Sequence, residues 1–450
     1  MAIKEFDVFV IGTGSSGKQV AMDCAEAGME VAIADNREYG GTCANRGCDP
    51  KKVLTGVTEI VQAAKNLKNK GLTCVPDIDW SALMKYKNTF TSAVPTVHEK
   101  ELKEAGISLY HQSPKFLDKN TLSVEGKIVK VKKVVIATGL IPLELKIQGR
   151  EYLKTSDDFL SLEKLPEEII FVGGGYIGIE LAHLAARCGS KVIVIQSTDR
   201  ILSEFDSDLT DKLIEISKSL GIKFLFNARV TKVEKLQKNY RVSYAHGNKT
   251  ETVITQMVFN TAGRVPSITE LDLDKGEVSY EEKGISVNEF MQNTSNPNVY
   301  ACGDVAVSKL PPLTPTANLE AKILSENIRN GNKTKLPSLA IPSVVHCIPQ
   351  IASIGLNESD ITDKNNTYQI NYNEVPEWFS AKHKNETNYI YKVIIEKETN
   401  LIVGAHILAT NAGEIINLFS MAINQKIKVN QIKNMVYAYP TWGNDIKSML

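Results

Sequence analysis

The stretch Asp7-Val8-Phe9-Val10-Ile11-Gly12-Thr13-Gly14-Ser15-Ser16-Gly17 reads DVFVIGTGSSG. An apolar run over 5–11 enters a glycine turn, a helix-like segment continues to Ala27, and a second strand, Glu30 to Ala34, ends at Asp35. Strand, Gly-x-Gly-x-x-Gly, helix, strand and acid together define a dinucleotide-binding unit. Gly12 makes the turn, Gly14 lets backbone approach a pyrophosphate, and Gly17 lets helix and strand pack closely. The helix start at Ser15 and Ser16 aims free N–H groups at phosphate, and Asp35 accepts from a ribose. The same pattern recurs as Gly173-Gly174-Gly175-Tyr176-Ile177-Gly178, with Gln196 closing the following strand. Gly12 to Asp35 and Gly173 to Gln196 both span 23 residues. Two copies at one offset are far more specific than one. Gly12 to Lys18 also fits the G-x-x-x-x-G-K phosphate loop, but Gln19 stands where that loop needs Ser or Thr.

The chain has 450 residues, enough for two to four domains at roughly 100–200 residues each. Its 43% hydrophobic and 23% charged content is that of a globular protein, and its net charge is zero. No basic footprint points to nucleic acid or a membrane surface. The lysines between Lys65 and Lys70 read as a solvated helix face. The opening MAIKEFDVFVIGTG lacks a basic n-region and a small-residue cleavage site, and no apolar run reaches 18 residues. We therefore expect a cytoplasmic chain without a membrane span.

Further along, a helical stretch over about 51–105 precedes strand-like segments and Val134-Val135-Ile136-Ala137-Thr138-Gly139. After the second glycine unit come VFNTAGRVPS (258–267), NVYACGDV (298–305) and LTPTANLEAKILSENI (313–328). From about 338, short strands (344–345, 351–354, 389–395, 402–408) and helices (411–424, 430–436) predict a separate α+β domain.

The seven cysteines are an odd number scattered over a long chain, not a disulfide framework. Two of them stand five apart in Thr42-Cys43-Ala44-Asn45-Arg46-Gly47-Cys48-Asp49-Pro50-Lys51-Lys52. On a regular helix that spacing is a rise of about 7.5 Å, too far for a disulfide, but Gly47 and Pro50 can distort the turn. A zinc site needs further ligands at matching spacing and none is near, so no metal is expected. The pair begins eight residues past Asp35. This favours a redox-active pair beside a nucleotide over a structural or metal-binding one.

The paired glycine motifs, G-G-T-C-x-N-x-G-C-x-P, A-T-G, G-R-x-P and Y-A-x-G-D resemble, in order and spacing, the class I pyridine nucleotide–disulfide oxidoreductases, which include glutathione reductase, dihydrolipoamide dehydrogenase and mercuric reductase. The resemblance spans essentially the whole chain. It implies an α/β fold with two Rossmann-like dinucleotide-binding domains and a C-terminal α+β dimerisation domain. The implied segments are 1–150 and 263–337 for FAD, 151–262 for NAD(P) and 338–450 for homodimer formation. It places Gly12, Gly14, Ser15, Ser16, Gly17, Asp35, Thr42, Thr138, Gly139, Asp304 and Thr314 around FAD, with Gly263 and Arg264 among the cofactor-binding residues. Gly173, Gly175, Tyr176, Gly178 and Gln196 are implied for NADH or NADPH. Cys48 would face the flavin and Cys43 would attack substrate. Lys51 or Lys52, paired with Glu180, would sit near the flavin edge. Electrons would pass from nicotinamide to flavin to the Cys43–Cys48 disulfide.

The chain departs from that pattern in its proton chemistry. The family's H-P-T-x-x-E, given by the other subunit, is here Tyr439-Pro440-Thr441-Trp442-Gly443-Asn444. A free tyrosine titrates near 10 and a histidine near 6.5, so Tyr439 is a poor base at neutral pH. Asp445, one position beyond, is a candidate substitute. The C-terminal DIKSML has no vicinal cysteines of the mercuric reductase kind. Met22 replaces the arginine that holds glutathione, and Lys322 remains as a second cationic slot. Gln196 lacks the charge that repels a 2′-phosphate, and Ser197, Thr198 and Arg200 lie near it, a lean toward NADPH. The expected acceptor is a small-molecule or protein disulfide. The alternatives are diaphorase-like reduction of metal ions, quinones or oxidants, and a slow redox-sensing flavoprotein.

Overall fold

The computed structural model describes residues 3–361 and 367–450. The chain divides into two compact units, one of Met1–Lys51, Lys85–Leu143 and Arg264–Ser338, the other of Lys52–Met84, Glu144–Gly263 and Leu339–Leu450.

In the first unit the strand Lys4–Ile11 pairs in parallel with Val31–Ala34 on one side and Lys127–Ile136 on the other. Ser108–Tyr110 extends the first side, and Val299–Ala301 pairs in parallel with the end of Lys127–Ile136. Parallel neighbours need a crossover, and the helix Ser15–Glu26 supplies it. Side chains of Lys4–Ile11 alternate between two cores: Phe9 and Ile11 join one, Val8 and Val10 the other. Both faces are covered over its second half, which explains the continuous apolar residues 8–11.

In the second unit Lys223–Leu225, Lys191–Ile195, Glu168–Val172 and Met257–Asn260 form a parallel sheet. Phe159, Phe171 and Phe259 pack together behind it, with ring centroids 5.3–5.8 Å apart. A five-stranded antiparallel sheet follows in the order Ser343–Val345, Gln350–Gly355, Leu401–Ala409, Ile390–Glu396, Tyr368–Glu374, with the helix Ala412–Asn424 packed on it. One apolar cluster joins Ile179, Leu209 and Leu213 to Val345, Ile390 and Leu408. Beside it the buried Lys392 Nζ donates to Asp206 (2.9 Å), Asp208 (2.6 Å) and Glu358 (2.7 Å). The fold is thus the expected α/β architecture with a C-terminal α+β segment.

Two local readings change. The helical stretch over 51–105 is three helices, Cys48–Leu67, Trp80–Thr91 and Val94–Glu104. Gly71 and Pro76 interrupt it, and Asn69 takes a positive φ of 62°. The strand Tyr368–Glu374 escaped notice because it is a sheet edge, paired on one side only, with mostly polar and half-exposed residues. Among the described residues no helix is long and apolar enough to cross a membrane.

Candidate active site

The first glycine turn is sterically committed. Gly12 has φ +108°, and a Cβ there would lie 2.3 Å from the Ala137 carbonyl oxygen. A Cβ on Gly17 would lie 2.0 Å from the Gly12 oxygen, so helix and strand touch through glycine alone. Asp35 closes the turn: its carboxylate accepts from the Thr13 amide (2.8 Å) and the Thr13 hydroxyl (2.7 Å). Lys18, the residue that suggested a phosphate loop, is ion-paired with Glu101 instead.

The later motifs converge on the same unit. Arg264–Pro266 pairs with Leu140–Pro142, and Ser267 N–H donates to Gly139 O at 3.0 Å. Arg264 donates to Leu140 O. A Cβ on Gly303 would meet Ser16 Oγ at 2.7 Å, which brings the Gly303–Asp304 turn against the start of the first helix. Burial raises the Asp304 carboxyl above its usual range, with Arg264 opposing. The Thr138 hydroxyl oxygen is buried without a hydrogen-bond partner. An orphaned hydroxyl next to a glycine turn and a helix N-terminus fits a bound dinucleotide, which would supply the missing partner.

The cysteine pair straddles a break between two helices, Gly41–Arg46 and Cys48–Leu67. Gly47 has φ −136° and ψ −116°, and a Cβ there would lie 2.8 Å from Thr42 O. This break removes the helical rise that would separate the sulfurs. Both are free thiols, Cys43 half-buried and Cys48 exposed. Thr314, the first residue of the helix Thr314–Asn330, donates its hydroxyl to Cys43 Sγ at 3.4 Å and lies 3.9 Å from Cys48 Sγ. The Cys43 thiol is pushed up, first by its hydrogen bond with Cys48 and then by burial, with Asp49 adding repulsion and Thr314 opposing. Asn45 steadies the loop by donating to Tyr39 O and Gly41 O, both at 3.0 Å.

The second glycine turn repeats the first. Gly173 has φ +110°, and a Cβ on Gly178 would meet Gly173 O at 2.1 Å. Gly174 N–H donates to Gln196 Oε1 at 2.8 Å, as Thr13 N–H does to Asp35, and both bonds join residues 22 apart. The Gln196 amide then donates to Thr198 Oγ (2.7 Å) and Arg200 O (3.0 Å). Gly175 precedes the helix Tyr176–Arg187, Tyr176 stands 54% exposed at its start, and Gly263 takes φ +133°. Arg200 donates to Phe205 O and Thr210 Oγ at 3.4 Å each.

Two expectations change. Of the two lysines named for Glu180, Lys52 directs its Nζ to Glu59 (2.7 Å), seven residues on along the same helix, and Lys51 stays as the alternative. The buried Glu180 carboxylate accepts from His346 N–H at 2.7 Å. His346 and Cys347 follow the end of the strand Ser343–Val345. Asp445 does not stand in for a base: its carboxylate accepts from Ser380 and from Tyr389 OH (3.2 Å) and anchors the C-terminal turn. Tyr439 is 74% exposed, its ring 6.5 Å from that of Phe379.

Two residues that hold these turns together carried little signal in the sequence. Thr13 carried no signal apart from its place between two glycines. Glu320 sits between Ala317, Ala321 and Leu324 on the apolar face of its helix, 3% exposed. An acid on an apolar face was the available clue. Among the described residues, no group of three or more His, Cys, Asp or Glu is placed to hold a metal ion.

Family models match this arrangement directly. Residues 6–321 match the pyridine nucleotide–disulphide oxidoreductase model, and 341–450 match its dimerisation domain. The chain belongs to the pyridine nucleotide–disulphide oxidoreductase family and is a flavin-dependent oxidoreductase. It is 29% identical to a mercuric reductase of Lysinibacillus sphaericus over 98% of this chain and 81% of that protein. It is 28% identical to a glutathione reductase of Burkholderia cepacia (99% and 98% covered) and 29% identical to a dihydrolipoyl dehydrogenase of Geobacillus stearothermophilus (98% and 94%). In fold it resembles the HOCl-induced flavoprotein disulfide reductase RclA of Escherichia coli in its Cu(II) complex. The TM-score is 0.87 at 23% identity, with 98% of this chain and 99% of that one covered.

Proposed function

We propose that this protein oxidises NAD(P)H and reduces a disulfide substrate through FAD and the Cys43–Cys48 pair. The carrying observation is the Thr314 hydroxyl between the two sulfurs, in the unit that also holds the first glycine turn. Gly12, Gly14, Ser15, Ser16, Gly17, Asp35, Thr138 and Asp304 hold the flavin. Bound there, flavin would supply two-electron transfer between the nicotinamide and the cysteine pair. The protein's own part is thiol exchange. Cys43 Sγ attacks one substrate sulfur and releases the first thiol; Cys48 Sγ then attacks Cys43 and releases the second. Each departing sulfur takes a proton, so NAD(P)H, one proton and one disulfide yield NAD(P)+ and two thiols. Cys48, exposed in the chain alone, takes the flavin-facing role when the cofactor covers it. Reduced thiol pools make the cytoplasm the fitting compartment.

The dimerisation-domain match supports a homodimer in which Tyr439 is supplied by the partner subunit. Val436 (100% exposed), Tyr439 (74%) and Met421 (61%) leave an apolar surface for that contact. With Tyr439 in the base position and Asp445 engaged elsewhere, acceptors that need no thiol protonation form a second reading. These are quinones and metal ions, including the Hg(II) implied by the mercuric reductase name. To test both, the flavin spectrum is followed under NADPH and NADH, and then glutathione disulfide, lipoamide, quinones, Cu(II) and Hg(II) are screened. Turnover with a disulfide supports the first reading. Turnover confined to quinones or metals transfers support to the second, and a chain that binds no flavin overturns both.

Coenzyme choice rests on Gln196. Being neutral, it does not repel a 2′-phosphate, while Arg200 already donates to Phe205 O and Thr210 Oγ, so we infer only a modest preference for NADPH. Gln196→Glu places a carboxylate at the ribose edge. It should lower kcat/KM for NADPH by about tenfold, roughly 1.4 kcal/mol, and spare NADH. Equal effects on the two coenzymes would remove Gln196 from the ribose site.

A further inference from the structure

The helix Thr314–Asn330 begins at the cysteines, but its most buried charged residue lies two turns on. Glu320 is 3% exposed, and its Oε2 accepts from Gly303 N–H at 2.8 Å. Gly303 takes φ +73° and packs so closely on Ser16 that a Cβ would lie 2.7 Å from that hydroxyl oxygen. Three separate parts of the flavin site therefore meet around one carboxyl: the first glycine-turn helix through Ser16, the Gly303–Asp304 turn, and the helix that carries Thr314. We propose that Glu320 is a positioning residue for flavin: it holds the Gly303–Asp304 turn against the glycine-turn helix, and its charge sets how tightly the pyrophosphate end is held. This rests on the flavin reading above.

Glu320 is faced by the Gly303 amide, the Ser308 hydroxyl, the Asp304 carboxyl and the Cys302 thiol. Burial raises its carboxyl to about 7, with Asp304 adding repulsion and the bonds from Ser308 and Gly303 opposing. Both protonation states leave an oxygen that accepts from Gly303, so the turn is held across neutral pH. Only the ionised state adds negative charge beside an anionic ligand. The sign follows: as pH falls through 7, Glu320 takes a proton, a like charge disappears, and flavin binds more tightly.

The test is flavin release from the holoenzyme on dilution, read by flavin fluorescence at pH 6, 7 and 8, with folding checked by circular dichroism. The native protein should hold flavin several-fold more tightly at pH 6 than at pH 8. Glu320→Gln keeps an acceptor for Gly303 and loses the charge; it should hold flavin at the tight limit with the slope flattened. Glu320→Ala loses both and should release flavin at least about tenfold more readily, a single hydrogen bond to a charged group being of that size. A Glu320→Gln protein with the native slope, or a folded Glu320→Ala protein with native flavin retention, would overturn the proposal. A native protein that binds no flavin would instead sink the reading beneath it.

Discussion

Cys43→Ser is expected to leave reduction of the flavin by NAD(P)H at its native rate while cutting disulfide turnover by roughly a thousandfold or more. The argument is local. Cys43 accepts from the Thr314 hydroxyl and shares its own thiol proton with Cys48, and its helix ends at Gly47 so that Cys48 can face it. Serine keeps the size and the bond from Thr314, so the fold should survive. It cannot form the disulfide, and its hydroxyl is not a usable nucleophile at neutral pH. Cys48→Ser should abolish the same turnover for a different reason. The attacking sulfur remains, but nothing can release it from the mixed disulfide, which should accumulate and be detectable by intact mass. Stopped-flow flavin absorbance and steady-state disulfide reduction, measured on one preparation, separate the two halves of the reaction. Quinone reduction that survives in both variants would place that activity on the flavin alone. Native disulfide turnover in Cys43→Ser would remove the pair from the electron path.

How much of this was legible in the sequence depends on how specific the physics is. Gly12, Gly17, Gly173 and Gly178 were legible because only glycine fits where a Cβ would lie 2.0–2.5 Å from a carbonyl oxygen. For Gly173 the positive φ of 110° carries the same message. Asp35 and Gln196 were legible through their shared offset, and their matching bonds to Thr13 and Gly174 explain the offset. The cysteine pair was legible as a motif, and the break at Gly47 supplies the geometry that an ideal helix denies. Partner choice was not legible. Adjacent lysines look equivalent in sequence, and only the helix phase directs Lys52 to Glu59. Asp445 looked free until Ser380 and Tyr389, more than 50 residues away, were folded onto it. Glu320 failed for the opposite reason: its burial follows from the apolar face of its helix, but its partner Gly303 belongs to another motif.

Tyr439→His should restore the proton chemistry that the chain otherwise lacks, raising disulfide turnover at pH 7 by about ten- to a hundredfold. That is the low end of the range for general acid–base catalysis. The low end follows from the missing orienting acid: Asn444 stands where the family has glutamate, and Asp445 is held by Ser380 and Tyr389. A second substitution, Asn444→Glu, should therefore add to the first rather than act alone. The chain's own fold should tolerate the change, because Tyr439 is 74% exposed in the isolated chain, and the oligomeric state of the variant checks that the dimer contact survives it. The decisive readout is the pH profile. A histidine that takes a proton from the attacking Cys43 must itself be neutral, so turnover in the variant should rise with pH through about 6.5, a limb the tyrosine cannot produce. Flavin reduction by NAD(P)H should be unchanged, because it precedes any thiol proton transfer. If both the rate at pH 7 and the profile stay native, proton transfer to the exchanging thiols is not what limits this enzyme. The second reading, an acceptor that takes electrons without needing that proton, then becomes the better account of why tyrosine stands at 439.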